Sequence, residues 1–269
     1  MAPTMQLTTS TIYPIVTKRV EHTSLDIVLV HGFTQNLEVL SPFATILAEI
    51  TGRRVHLVDL AGHGKSSAAS LDLAQNSKAI WNHFGQSVFV GYSLGGRMLM
   101  HLALQHPISL GPLVLIGAHP GIADHDQRLA RLYADLQIAK QLSEISTTEN
   151  FEKFLREWIA SPVFGALDPA LANISARLGG DPKALADSLS MTSLGKQDFL
   201  TNRLVEAQVQ ALYIYGSKDS KFADIAAELV RLSNGAFTKC EIAQAGHYVI
   251  GQDPYATAKA IARYIAKAP

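Results

Sequence analysis

The sequence predicts an α/β protein whose sheet is mostly parallel. Short apolar runs of strand type alternate with segments of helical periodicity in both the first and the last part of the chain, which is typical of βαβ units. Most of these runs are apolar at consecutive positions, so their strands are expected to be covered on both faces. Residues 122–204 carry no strand signal, which predicts an all-helical insertion between two core strands.

Residues 1–121 are predicted to contribute most of the strands. A loosely alternating stretch at 11–22 suits an edge strand, and Ser41-Pro42 favours a helix start at that point. Buried strands are expected at 26–30, 54–58, 88–91 and 112–116. Helices are expected between them at 40–50, 72–84 and 94–105. The last of these helices is apolar nearly all round and is therefore expected to be buried.

The rest of the chain is predicted to hold the insertion and the end of the sheet. Proline and glycine breakers divide the insertion into helices at 127–142, 148–159, 169–178 and 182–190. Strands then return at 209–215 and 237–242, followed by helices at 221–232 and 254–266. The predicted organisation is a discontinuous core, 1–121 with 205–269, that carries a helical cap at 122–204.

Composition argues against several classes of function. Lys plus Arg and Asp plus Glu number 23 each, so no nucleic-acid partner is expected. The single cysteine, Cys240, excludes an internal disulfide and a cysteine-based metal cluster. The N-terminus has no apolar core of signal type, and no apolar run reaches the ~18 residues of a membrane span. We expect a cytoplasmic protein; the sequence is compatible with a monomer and leaves the oligomeric state open.

Ser93 stands between a predicted strand and a predicted helix, flanked by Gly91 and Gly95 in a G-x-S-x-G pattern. A sharp strand-to-helix turn strains the serine backbone and leaves no room for side chains two positions away. The turn also places the hydroxyl at a helix N-terminus, where unpaired N–H groups favour negative charge. The pattern predicts a nucleophile elbow, although the pentapeptide alone fits a plain Gly/Ser turn equally well.

A serine hydroxyl needs a base, usually a histidine held by a carboxylate. Asp219 follows the strand at 209–215 and His247 follows the strand at 237–242, so both lie where open parallel sheets place their ligand sites. Their order after Ser93 is Ser, Asp, His, as in the α/β-hydrolase arrangement. Asp219 could instead cap a turn or helix, and the other histidines precede it or lie in helices and early strands.

Two further features concern charge near the serine. His31-Gly32-Phe33 ends an early strand. In the α/β-hydrolase arrangement the loop after this strand donates one N–H of the oxyanion hole, and the residue after the serine donates the other. We therefore assign the amides of Phe33 and Leu94. Arg97 lies one helical turn after Ser93, in a position that the helix macrodipole disfavours for a cation. It invites an anionic partner, either a substrate carboxylate or a loop carboxylate of the protein.

These elements resemble the α/β-hydrolase superfamily, and the rest of the chain resembles one family within it. From about residue 26 onward the sequence is similar to the 2-succinyl-6-hydroxy-2,4-cyclohexadiene-1-carboxylate synthases of menaquinone or phylloquinone biosynthesis. The motifs that carry the resemblance are His31-Gly32-Phe33-Thr34, Gly91-Tyr92-Ser93-Leu94-Gly95-Gly96-Arg97, His119-Pro120-Gly121, Gln127-Arg128, Trp158 with Pro162-Val163-Phe164, Thr192-Ser193-Leu194 and Asp219-Ser220-Lys221-Phe222. The cap motifs and the last one are more specific than the elbow.

The resemblance implies a lyase that eliminates pyruvate from a succinyl-bearing cyclohexene carboxylate, without metal or other cofactor. Ser93, activated by His247 and Asp219, would then act as a base on a carbon-bound proton. The substrate would be a small polycarboxylate anion. The resemblance also assigns Arg97, Arg128 and Arg177 as carboxylate binders and Tyr92 and Trp158 as pocket walls. The segment around Arg177 matches least well, and Ile159 stands where an aromatic residue is expected.

Two other functions fit parts of the pattern. A carboxylesterase or a carbon–carbon-bond serine hydrolase would use the same triad for acyl or gem-diol chemistry. A ligand receptor built on the same fold is disfavoured, because such proteins usually carry a damaged triad whereas this sequence retains all three residues. The fold alone does not decide between these functions.

Overall fold

The computed structural model describes residues 7–14, 24–66, 71–107, 110–164 and 167–267. The strands are β1 (Thr8–Ile12), β2 (Ile27–Val30), β3 (Val55–Asp59), β4 (Val88–Tyr92), β5 (Leu113–Ile116), β6 (Ala211–Gly216) and β7 (Phe237–Ile242). They form one sheet in the order β1-β3-β2-β4-β5-β6-β7. β1 pairs antiparallel with β3, and the other neighbours pair parallel, as the sequence predicts.

Helices cover both faces of this sheet. They are α1 (Leu37–Thr51), α2 (Leu73–Phe84), α3 (Leu94–Gln105), α4 (His125–Ser143), α5 (Thr148–Ile159), α6 (Ile174–Arg177), α7 (Pro182–Thr192), α8 (Thr201–Glu206), α9 (Ser220–Leu232), α10 (Val249–Gln252) and α11 (Pro254–Ile265). Successive strand residues point to opposite faces. Leu29 therefore joins α1 and α11 in one apolar cluster, while Val28 joins α2, α3 and α9 in the other.

The boundary of α1 differs from the prediction. The helix begins at Leu37, and the side chain of Asn36 accepts a hydrogen bond from the Val39 N–H as its N-cap. Pro42 lies inside the helix, so the predicted start at Ser41-Pro42 is wrong.

Other boundaries differ because of local backbone geometry. The predicted helix at 169–178 is divided into a 3₁₀ turn and α6, because Asn173 between them adopts a left-handed conformation with φ of 47°. The short helices α8 and α10 were not predicted. The edge strand expected within 11–22 lies at Thr8–Ile12, and residues 15–22 of that stretch lie outside the described residues.

The described residues between β5 and β6 form helices joined by turns and loops, and no strand. α4, α5 and α7 pack on each other through a third apolar cluster that includes Leu142, Phe154 and Leu185. Leu200 and Leu204 instead pack with α3 and α9 on the sheet. The division into a core (1–121 and 205–269) and a cap (122–204) stays a prediction.

Candidate active site

Ser93 occupies a strained turn between β4 and α3. Its φ of 50° and ψ of −107° lie outside the regions that L-residues favour. A Cβ on Gly91 would lie 2.6 Å from the Gly96 nitrogen, and a Cβ on Gly95 would lie 2.4 Å from the Val30 oxygen. Side chains at either position would force the strand and the helix apart, so both glycines are required by close packing.

The structure brings Ser93, His247 and Asp219 together. His247 Nε2 lies 3.3 Å from Ser93 Oγ, and His247 Nδ1 lies 3.0 Å from Asp219 Oδ2. Asp219 occupies the N-cap position of α9, yet its side chain makes no capping bond and faces the imidazole instead. An Nδ1–H that donates to this carboxylate leaves Nε2 as the acceptor for the serine proton.

The His247 ring is held by close packing. Its centroid lies 4.6 Å from that of Phe222, 5.4 Å from that of Tyr92 and 5.9 Å from that of Phe164. On the other side, a Cβ at Gly117 would lie 2.9 Å from His247 Cε1. The ring therefore has little freedom to rotate away from Ser93.

The amides of Phe33 and Leu94 are available for an oxyanion. Among the described residues, neither N–H donates to a protein acceptor. The Phe33 turn is fixed by His31, whose Nδ1–H donates to the Gly32 oxygen at 2.8 Å and whose Nε2 accepts from the Leu60 N–H at 3.1 Å. Burial lowers the pKa of His31 to about 4, so the ring is neutral and can make both bonds.

The triad opens onto a cavity of about 300 Å³. Four cationic side chains line it, and they come from different parts of the chain: Arg97, Arg131, Arg177 and Lys221. Asp135 is the acidic residue that lines the same cavity within the described structure. Since several cations facing one carboxylate leave an excess of positive charge, the cavity favours an anionic ligand.

Asp135 is itself neutralised by protein groups. Its carboxylate accepts bonds from Arg131 Nε at 2.8 Å, from Ser193 Oγ at 2.7 Å and from the Leu194 N–H at 3.3 Å. Asp135 therefore fixes Arg131 in place and leaves Arg97, Arg177 and Lys221 without a carboxylate within 4.0 Å in the described part of the chain.

Arg97 is buried on the first turns of α3. Its Nε donates to Gln197 Oε1 at 2.6 Å, and one terminal nitrogen donates to the Thr192 oxygen at 2.7 Å. Desolvation, with a smaller contribution from Arg131, lowers the pKa of Arg97 to about 9. The sequence left two partners open for Arg97, a substrate carboxylate or a loop carboxylate of the protein. Among the described residues no carboxylate lies within 4.0 Å of Arg97, and its side chain lines the cavity.

Arg177 lines the cavity although its segment carries the weakest resemblance. Arg177 is 2% exposed, and its guanidinium donates to the Ala172 oxygen at 2.7 Å and to Thr34 Oγ1 at 2.6 Å. Thr34 has a φ of 63°, a conformation that β-branched residues rarely adopt. Desolvation lowers the pKa of Arg177, as expected for a buried cation with neutral partners.

Among the other arginines between β5 and β6, Arg128 is placed differently from the prediction. Arg128 is half-buried and does not line the cavity, which Arg131, one turn later, does. The reason lies in α4, where Arg131 shares its inward face with Asp135. Arg156 is exposed and pairs with Glu152 on the same helix at an i,i+4 spacing.

Tyr92 and Trp158 both line the cavity, as the resemblance implies. The Tyr92 hydroxyl and Trp158 Nε1 are buried without a hydrogen-bond partner in the described structure. Burial raises the pKa of Tyr92 well above its usual value, so the hydroxyl remains a donor. Trp158 packs edge-on against Phe33 at 5.4 Å. The two residues therefore offer donors as well as apolar surface.

Several lining residues were not predicted as binding residues from the sequence. They are Gln35, His119, Arg131, Ser161 and Lys221. Lys221 belongs to the Asp219-Ser220-Lys221-Phe222 motif, so its place beside the triad could have been inferred. The Arg131–Asp135 spacing indicates an ion pair on one face of a helix but does not show that this face points inward. Gln35 and Ser161 carry no comparable signal.

No helix in the described part of the chain has the length and apolar character needed to cross a membrane. Within the same residues, no three side chains from His, Cys, Asp and Glu are arranged to hold a metal ion.

Comparisons with known proteins identify the fold and the family of the chain. Residues 27–254 match the alpha/beta hydrolase fold family. The 2-succinyl-6-hydroxy-2,4-cyclohexadiene-1-carboxylate synthase of Enterobacter sp. (strain 638) is 32% identical over 254 residues, which cover 89% of this chain and 91% of that protein.

Solved structures share the fold at lower identity. MenH from S. aureus superposes with a TM-score of 0.83 at 23% identity, over 96% of this chain and 98% of its own. A malate-bound thermophilic esterase from Thermogutta terrifontis gives a TM-score of 0.75 at 18% identity, over 98% and 94%. Because a lyase-family relative is matched over about nine-tenths of both sequences, the chain belongs to the α/β-hydrolase fold family and, within it, to the 2-succinyl-6-hydroxy-2,4-cyclohexadiene-1-carboxylate synthase family.

Proposed function

We propose that this chain eliminates pyruvate from 2-succinyl-5-enolpyruvyl-6-hydroxy-3-cyclohexene-1-carboxylate to give 2-succinyl-6-hydroxy-2,4-cyclohexadiene-1-carboxylate. The step belongs to menaquinone or phylloquinone biosynthesis. The observation that carries the proposal is a complete Ser-His-Asp set that opens onto a cavity with excess positive charge. A cytoplasmic location and the lack of a nucleic-acid partner stay predictions.

The proton to be removed is bound to the ring carbon that bears the succinyl group. This carbon lies next to the succinyl ketone, so its C–H is the acidic one. Ser93 Oγ passes its own proton to His247 Nε2 and takes the proton from carbon, while Asp219 stabilises the imidazolium. The role fits a hydroxyl already 3.3 Å from Nε2.

Removal of this proton moves negative charge onto the ketone oxygen. The free amides of Phe33 and Leu94 can donate to that oxygen, as in an oxyanion hole. The electron pair then forms the first ring double bond, the existing double bond shifts by one position, and the C–O bond to enolpyruvate breaks. His247 returns a proton, and the released enolpyruvate becomes pyruvate. Atoms and electrons balance without an external oxidant or reductant.

The three carboxylates of this substrate require cationic partners. Arginine binds a carboxylate through two parallel N–H donors. Arg97 and Arg177 supply such groups from the positions that the resemblance assigns. Lys221, which has no carboxylate within 4.0 Å in the described structure, supplies the third cation, whereas Arg131 is already paired with Asp135. Tyr92 and Trp158 form walls between them and add neutral donors.

The decisive experiment measures two activities on the same preparation. Purified protein is given the enolpyruvyl substrate and assayed for pyruvate with a coupled dehydrogenase, and in parallel it is given p-nitrophenyl esters. We expect rapid pyruvate release and weak esterase activity. Ser93→Ala should abolish pyruvate release while circular dichroism and Tm remain those of a folded protein.

A carboxylesterase is the alternative, because the same triad and amides would serve acyl transfer. High esterase activity without pyruvate release would establish that alternative. The positive charge of the cavity argues against a neutral ester as the natural substrate.

A further inference from the structure

Gln35 is buried, and its amide oxygen is hydrogen-bonded whereas its amide nitrogen is not. It is 2% exposed and lines the active-site cavity. Its Oε1 accepts a hydrogen bond from the Gly32 N–H at 2.9 Å. Its Nε2 is buried and has no hydrogen-bond partner among the described residues. A buried donor without an acceptor destabilises the folded protein, so such a group calls for an explanation.

The orientation of this amide is determined by its neighbour. Gly32 presents an N–H, which can only donate, so the Gln35 oxygen must face it and the nitrogen must face away. The backbone closes the same turn, because the Gln35 N–H donates to the Gly32 oxygen at 3.2 Å. The Nε2 donor is therefore fixed by two contacts on the turn that also carries the Phe33 amide.

The groups around Gln35 include two tyrosine hydroxyls. Thr34, the preceding residue, already accepts a bond from Arg177. The Tyr92 hydroxyl is buried and unpartnered in the described structure. Burial raises the pKa of Tyr248, and Arg177 and the nearby Gln35 amide partly offset this, so the Tyr248 hydroxyl interacts with the amide; no hydrogen bond of 3.5 Å or less joins it to Nε2. The Gln35 amide, the Tyr92 hydroxyl and the Arg177 guanidinium all offer hydrogen-bond donors, and such a group of donors suits an anionic ligand.

We propose that Gln35 is a substrate-binding residue whose Nε2 donates to the carboxylate held at Arg177. The assignment rests on the proposed function for the identity of the substrate. Because the Phe33 amide is carried by the same turn, Gln35 links carboxylate binding to the position of the oxyanion hole.

Two substitutions separate this role from a purely structural one. Gln35→Glu keeps an oxygen acceptor for the Gly32 N–H and removes the donor. Gln35→Met removes both groups at similar volume. Pyruvate release gives kcat and KM for each variant, and calorimetry gives the affinity for 2-succinylbenzoate, a stable aromatic compound with the ring carboxylate and the succinyl chain. Gln105→Glu, on the exposed face of α3, is the matched control.

Loss of a donor to a carboxylate should raise KM by about tenfold or more in both variants and weaken 2-succinylbenzoate binding in parallel. The control should match the wild type. A KM unchanged in both variants would overturn the proposal, as would a rise confined to Gln35→Glu, which would reflect repulsion by the new charge. A fall in kcat alone for Gln35→Met would assign Gln35 to the turn only.

The binding measurement keeps this test separate from the proposed function. If the wild type released no pyruvate but bound 2-succinylbenzoate, the proposed reaction would fail while Gln35 could still be judged from the affinities. If both variants bound the compound as the wild type does, the Gln35 assignment would fail even with normal pyruvate release. A wild type that did not bind the compound and did not release pyruvate would remove both proposals.

Discussion

Gln197 Oε1 accepts a hydrogen bond from Arg97 Nε at 2.6 Å, although the two residues are 100 positions apart in the chain. The bond ties the first turns of α3 to the segment that follows α7. Gln197 Nε2 also donates to the His119 oxygen at 3.2 Å, so the glutamine connects Arg97 to the loop after β5. The direction in which Arg97 enters the cavity is set by this neutral bridge rather than by an ion pair.

Arg97→Ala should weaken substrate binding more than it slows chemistry. The lost guanidinium would raise KM by about tenfold or more, since charge-assisted bonds contribute about 1.5–3 kcal/mol. Steady-state kinetics of pyruvate release measure this effect. Arg156→Ala is the control, because Arg156 is an exposed arginine paired with Glu152 and should leave KM unchanged. Identical KM values for both variants would remove Arg97 from the binding site.

The pH dependence of kcat/KM should show a basic limb near pH 9. Burial lowers the pKa of Arg97 to about 9, and burial also lowers that of Lys221. Both groups bind an anion only when protonated, so affinity is present below their pKa values and is lost as pH rises through them. Profiles of Arg97→Ala and Lys221→Met would assign the limb. A limb that is unchanged in both variants would contradict this account.

Stability should fall between about pH 6.5 and 4. Burial lowers the pKa of His31 to about 4 and that of His63 to about 3. The unfolded chain then binds more protons than the folded one in this range, so stabilisation present above pH 6.5 is lost as pH falls. Thermal unfolding across this range measures it. His63→Gln should flatten the slope, and a slope as steep as that of the wild type would exclude His63.

Gly95→Ala should destabilise the protein more than Gly52→Ala. A Cβ at position 95 would lie 2.4 Å from the Val30 oxygen, whereas one at position 52 would meet nothing within 4 Å. Gly52 has a φ of 67°, so alanine there costs about 1–2 kcal/mol from backbone strain alone. At position 95 the Cβ would meet the backbone of β2, so overpacking there should cost about 3 kcal/mol or more, at the upper end of the usual range. Urea unfolding compares the two variants, and equal losses would contradict the packing argument.

The sequence predicted the elements that depend on local chemistry. Ser93, Asp219 and His247 follow predicted strands in a fixed order, and parallel pairing brings strand ends to one edge of the sheet. The start of α1 was missed because Asn36 and Pro42 each suit a helix N-terminus, and their sequence does not show which one caps it.

The cavity-lining residues between β5 and β6 were harder to predict. Arg128 and Arg131 lie on neighbouring faces of α4, and only the packing of α4 against α7 decides which one turns inward. Arg177 depends on a short helix that begins after the left-handed Asn173. No sequence pattern indicated Gln35, because its proposed role depends on its amide oxygen accepting the Gly32 N–H, which leaves the amide nitrogen without a partner.

The cationic residues of the cavity come from separate parts of the chain, whereas the proton-transfer residues all follow strands of the sheet. Arg131 and Arg177 lie between β5 and β6, and the triad does not. Changes confined to the helices between β5 and β6 would therefore alter which anion the cavity binds, while the serine, its partners and the two amides stay in place.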